Sequence, residues 1–176
     1  MPYNVYLADR GLPGSQIPAD LRQAVASDLR SWFTEILQMT NSPVGNTAAV
    51  TWVDNRPQIQ PYELLIFFVQ SQSYSVLQHM PRINVRNRTR SGLTGWNGAF
   101  TCSEVYIDFG TRFLSQMAFH EAMHNKTHFD NQRLHSGDGL ARESLQSPGA
   151  PSANNKTLMS QHILSNKPQW LDGFRY

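Results

Sequence analysis

The chain predicts a single α+β domain over residues 1–176: a twisted mixed sheet packed on a long N-terminal helix and a second, buried helix, then a long loop and a short C-terminal helix. Three observations lead there. The length of 176 residues lies within the roughly 100 to 200 residues of one domain. Hydrophobic residues make up 40% and aromatic ones 11%, enough for a core, which excludes a disordered chain. Strand-like apolar runs and helical stripes alternate with no internal repeat and no low-complexity tract.

Tyr3 to Ala8 (YNVYLA) reads as an opening strand, closed by Gly11, Pro13 and Gly14. From Pro18, a good first-turn residue, apolar side chains recur at Leu21, Val25, Leu29, Trp32, Phe33, Ile36 and Leu37. That is the 3.6-residue period of one buried helical stripe, and Asn41, Ser42 and Pro43 end it. Ala48 to Val53 and Glu63 to Gln70 read as strands; the second contains LLIFFV, apolar on both faces and so central in the sheet. Between Ser71 and Thr101 the pattern allows one irregular or edge strand, because Gly92, Gly95 and Gly98 weaken a ladder while Trp96 and Phe100 still need cover. Val105 to Phe109 reads as a further strand. A helix over Thr111 to Lys126 then carries Phe113, Leu114, Met117, Ala118, Phe119, Ala122 and Met123 nearly all round, which predicts burial. Ser147 to Asn155 (SPGAPSANN) reads as a loop, and a short helix begins near Leu158.

Composition removes several function classes. The net charge is +2 and the pI near 8.9, but only Lys126, Lys156 and Lys167 are lysines, so no basic arm points to nucleic acid. Cys102 is the sole cysteine, which excludes an internal disulfide and a Cys-rich zinc module. The apolar run Leu64 to Val69 is too short to cross a bilayer, so no transmembrane segment is expected. The first twenty residues lack the apolar stretch of a signal peptide; an exported protein would then be secreted or delivered to a target cell by a carrier.

Four of the six histidines fall between positions 120 and 135, and His120-Glu121-Ala122-Met123-His124 is an HExxH motif on the second helix. One helical turn separates i from i+4, so His120 and His124 can face one metal ion while Glu121 reaches water activated by it. A catalytic zinc has three protein ligands and an open fourth position, so a third must come from elsewhere. His135, in Leu134-His135-Ser136-Gly137, and Asp130, ten residues after His120, are the main candidates; Glu143 and His128 are weaker ones. His128 otherwise reads as a solvated loop residue. Imidazole is the commoner zinc ligand, which favours His135, with Asp130 the alternative.

These residues resemble the HExxH zinc metallopeptidases, the zincins. Asp130 stands where metzincins put their third ligand, usually His but Asp in the small secreted snapalysins. Thr127 departs from that pattern, which has Gly there so that the chain can turn left-handed, and a β-branched residue at positive φ is strained. His135 instead resembles the distant third His, followed by Gly, of SprT-like zinc proteases. Thr157-Leu158-Met159-Ser160 resembles the Met-turn beneath the metzincin zinc, and the order of elements resembles the metzincin catalytic domain over most of the chain. HEAMHNK followed by LHSGDGLA also resembles, more loosely, metallopeptidase toxin domains of bacterial type VI and contact-dependent secretion effectors.

The resemblance implies one Zn2+ per chain, Glu121 as general base, a protein or peptide substrate lying along an edge strand, and for a delivered toxin a carrier and an immunity or inhibitor protein. Two other functions share the motif: a zinc amidase acting on cell-wall peptides, and a non-catalytic interaction domain with a structural metal. Arg82, Arg86, Arg88 and Arg90 read as a solvated face, Cys102 as a buried small residue, and His162 as a structural histidine.

Overall fold

The computed structural model describes residues 1–10, 17–41, 43–83, 91–142 and 149–176. Five strands, β1 (Tyr3–Asp9), β2 (Ala48–Trp52), β3 (Leu64–Val69), β4 (Gly92–Trp96) and β5 (Thr101–Tyr106), form one sheet in the order β2-β1-β3-β5-β4. β1 pairs in parallel with β2 and β3, and β3 with β5. β4 returns antiparallel to β5 and forms an edge of the sheet. The sheet is therefore mixed, as the alternation of helices and strands predicts, and β3 is buried along its whole length.

Alternate β3 side chains enter two cores, as the two-residue period of a strand requires. Leu64, Ile66 and Phe68 join a large cluster with α1 (Ala19–Gln38), α2 (Leu114–Thr127) and α4 (Ala153–His162). Phe33 of α1 meets Phe119 of α2 at 5.6 Å between ring centroids, with Trp32 edge-on to the same ring. Truncating Phe119 to Ala there costs about 3–5 kcal/mol on the scale of buried aromatics. Leu65, Phe67 and Val69 pack on the opposite face with Val76, Leu77, Met80, Cys102 and Trp170.

That second face is covered by loops, and the buried Glu104 holds one of them. Its carboxylate accepts from the Ser75 hydroxyl, from the Tyr106 hydroxyl at 2.9 Å and from the Val76 N–H at 2.9 Å. Cys102 is buried, as expected, and burial lifts its thiol pKa well above the usual range. No helix among the described residues is long and apolar enough to cross a membrane.

Three boundaries move. The strand expected over Val105 to Phe109 lies at Thr101–Tyr106, and Ile107–Phe109 is a 3-10 turn. Thr101 and Ser103, on the helix face, break the apolar pattern because they are hydrogen-bonded there. The helix expected from Thr111 starts with a 3-10 turn and becomes α-helical at Leu114. The final helix begins at Ala153, inside the expected loop, because Ser152 and Asn155 form a capping box.

Candidate metal centre

α2 puts His120 and His124 one turn apart, and both rings are fixed from behind. His120 Nδ1 lies 2.6 Å from the Leu140 carbonyl and His124 Nδ1 lies 2.8 Å from the Phe129 carbonyl. A carbonyl only accepts, so each Nδ1 carries the proton and each Nε2 presents its lone pair forward. His135 closes the short helix α3 (Asn131–His135) and brings its Nε2 to 3.2 Å from His120 Nε2 and 3.4 Å from His124 Nε2. Three nitrogens bound to one tetrahedral zinc at about 2.0–2.1 Å stand about 3.3–3.4 Å apart. The three imidazoles thus have the spacing, and His120 and His124 also the tautomers, to hold one metal ion.

Burial keeps the His120 and His124 rings neutral. His120 is pulled down to about 3, chiefly by desolvation and then by His124, and His124 to about 4 by desolvation with His135 adding.

The chain reaches His135 by a route that differs from a glycine exit. Thr127 stays helical, its hydroxyl donating to Met123 O at 2.7 Å. The left-handed residue is His128 (φ 54°, ψ 26°), whose N–H closes the helix on His124 O. A non-glycine at positive φ costs about 1 kcal/mol, and its side chain offsets that strain. The His128 ring stacks on Trp96 at 4.4 Å, accepts from Lys167 Nζ at 3.3 Å through Nδ1 and donates from Nε2 to Thr101 Oγ1 at 2.7 Å. His128 is therefore neither a ligand nor a solvated loop residue.

Asp130 is exposed and caps α3, accepting the Arg133 N–H at 2.9 Å. It lies outside the histidine cluster, so of the two main candidates the structure brings in His135. Glu143 falls outside the described residues, as do Arg86, Arg88 and Arg90. Arg82 borders an open cleft of about 440 Å³ with Arg56, Phe100 and Trp170, which none of the three histidines lines. His162 meets Phe129 edge-on and takes no part in the cluster. Met159 is fully buried in the main core, but in the middle of α4; Thr157 to Ser160 are helix, not a turn, because the capping box starts the helix early.

Glu121 turns from α2 under β4. Its Oε2 accepts from Thr94 Oγ1 at 2.7 Å, and burial lifts its carboxyl to about 8 against the downward pull of that bond. A cation on the three imidazoles would draw it down again. β4 passes so close that a Cβ on Gly92 would stand 2.8 Å from Glu121 Oε1 and 2.6 Å from Glu104 O, which only glycine avoids. A file of donors leads to this carboxylate. Asn125 Nδ2 donates to Ser103 Oγ at 2.9 Å, Ser103 stands 2.8 Å from Thr94, and the single Thr94 proton goes to the carboxylate, the strongest acceptor in reach. Gln169 pairs reciprocally with the Asn125 amide at 2.9 and 3.0 Å. Spacing in the sequence marks none of these four; the available signal was polar residues at positions whose neighbours predict burial.

The depressed histidines carry a pH prediction for the chelated protein. His120 sits at about 3 and His124 and His128 at about 4, against about 6.5 in an unfolded chain. The unfolded state thus binds more protons across that window, so the metal-free fold keeps this stability above about pH 6.5 and loses it as pH falls towards 4. The carboxyls of Glu121 and Glu104, both raised by burial, work the other way over this window, but three histidines outweigh two carboxyls. Urea denaturation of chelated protein should show a lower midpoint at pH 5 than at pH 7; equal or reversed midpoints would mean that the histidines do not dominate the balance.

No protein-family model matches the chain, and neither a curated protein nor a solved structure does.

Proposed function

We propose that the chain is a zinc-dependent endopeptidase with a metzincin-like fold. The observation that carries this reading is the convergence of three Nε2 atoms, with His135 at 3.2 Å from His120 and 3.4 Å from His124, on the helix that also carries the buried Glu121. Among the described residues the cluster offers three ligands, the number that leaves a position open for chemistry, whereas a structural site is closed by four. Zinc held there supplies Lewis acidity, polarising a carbonyl and acidifying water.

The remaining steps fall to the chain's own groups. Glu121 takes a proton from water and returns it to the leaving amine. Thr94 keeps that carboxylate oriented under β4 through its 2.7 Å bond. A peptide extends along the edge of β4, where backbone hydrogen bonds supply affinity with little sequence preference. Support for the metzincin likeness is the order of elements and the buried Met159. Three departures mark this chain: His135 as third ligand, a left-handed His128 in place of glycine, and Met159 on a helix. Delivery as a toxin, with a carrier and an immunity protein, rests on the resemblance of HEAMHNK and LHSGDGLA alone.

The test is metal content with hydrolysis. Protein purified without chelator should hold about one zinc per chain, cleave denatured casein, lose activity to chelator and regain it with zinc. Digestion of purified peptidoglycan without any cleavage of casein would replace this reading with the amidase, and a metal-loaded chain inert to both would favour the structural metal.

A further inference from the structure

We propose that Asn155 is a positioning residue for the His120 imidazole, acting through the turn that carries Leu140. The inference rests on the metal-site reading above and adds a residue from a separate helix to it. His120 is aimed by the Leu140 carbonyl, so that carbonyl must itself be held. It belongs to the 3-10 turn Gly139–Ala141, which seats Leu140 and Ala141 in the main core while Gly139 stays exposed, so the side chains anchor the turn and hydrogen bonds must set the direction of its carbonyls.

Asn155, the third residue of α4, ties that turn on two sides. Its Oδ1 accepts from the Leu140 N–H at 2.8 Å, and its Nδ2 donates to the Asp138 carbonyl at 2.9 Å. The same Asp138 carbonyl accepts the Ala141 N–H at 3.0 Å. Ala141 N–H and Leu140 C=O are the two ends of one peptide plane, so Asp138 fixes the plane that meets His120, and Asn155 fixes Asp138. Two backbone N–H groups, from Leu140 and Ser152, converge on Oδ1 while Nδ2 meets a carbonyl, so the amide has only one consistent orientation.

Helix capping alone does not require this arrangement. Ser152 Oγ already caps α4 through the Asn155 N–H at 3.1 Å, and the reciprocal half of the capping box needs only Asn155 Oδ1 on Ser152 N. The bonds to Leu140 and Asp138 go beyond it. Asn155 is 2% exposed, and Gly139 adopts φ +56° where a Cβ would lie 2.5 Å from Asn155 Oδ1. Turn and amide are fitted closely to each other, and the pair sits directly behind a metal ligand.

The test compares Asn155→Ala with Ser152→Ala, which removes the cap and a bond to the Asp138 carboxylate but leaves both Leu140 contacts. Zinc affinity is read by competition with a chromophoric chelator, and the His120 tautomer by 15N–1H spectra of the metal-free protein. Asn155→Ala is expected to weaken zinc binding about tenfold to a hundredfold and to lose the pure Nδ1–H form of His120, while Ser152→Ala changes affinity by less than about threefold. If Asn155→Ala fails to fold, Asn155→Asp serves: it keeps the accepting oxygen, adds a negative charge that the helix start favours, loses the donor to Asp138, and should still weaken zinc binding by about threefold or more.

Unchanged affinity in the Asn155 variants, or an equal loss in Ser152→Ala, would overturn the proposal. His120→Ala separates the two levels. If it loses zinc while the Asn155 variants keep it, this inference alone falls; if it keeps zinc, the site reading falls and takes the inference with it.

Discussion

Glu121→Gln is expected to bind zinc as the parent does and to hydrolyse denatured casein about 10² to 10⁴ times more slowly, the range for a lost general acid-base group. The substitution keeps the shape of the side chain and an oxygen that can accept from Thr94 Oγ1, so the packing under β4 is preserved. What it removes is the ability to take and return a proton. The site is suited to reveal this, because Glu121 is 4% exposed and a Cβ at Gly92 would crowd its carboxyl; bulk water has little room to substitute for it. Zinc content and far-UV circular dichroism should match the parent while turnover collapses. Turnover at the parental rate would move the chemistry to another residue or to a contaminating protease.

His135→Ala should weaken zinc binding by about a hundredfold or more, at or beyond the upper end for partners that merely orient a ligand. His120→Ala and His124→Ala should do at least as much, since their Nδ1 bonds already commit both rings to the ion. Asp130→Ala is the control that separates the two candidate third ligands. Its carboxylate caps α3 through the Arg133 N–H, so its loss costs about 0.5–2 kcal/mol of stability and changes zinc affinity far less than loss of His135. Retained affinity in His135→Ala beside its loss in Asp130→Ala would reverse the assignment.

The sequence made the scaffold of the site legible because its main elements repeat a period. α1 shows its stripe, β3 its unbroken apolar run, and α2 the i, i+4 spacing that brings the His120 and His124 rings to one point. Legibility fails where function depends on meeting across space. The choice between His135 and Asp130 turned on a left-handed residue at His128, whose strain is offset by Trp96, Thr101 and Lys167 from distant parts of the chain. No local rule predicts that. Thr94, Ser103, Asn125 and Gln169 escaped for the same reason: each is unremarkable alone, and their alignment towards Glu121 exists only once β4, β5, α2 and the C-terminal segment are packed together.

The carbonyl contacts behind His120 and His124 also bear on the order of metal capture. Both rings are immobilised when the domain folds, so the entropy of orienting them is lost before an ion arrives and does not weaken its binding. His135 comes to the same point from the end of a separate helix only five residues long. An ion entering the site would therefore find two nitrogens on α2 already aimed at it, with the third imidazole supplied by a segment eleven residues beyond His124, so that one continuous stretch of chain would carry the whole ligand set.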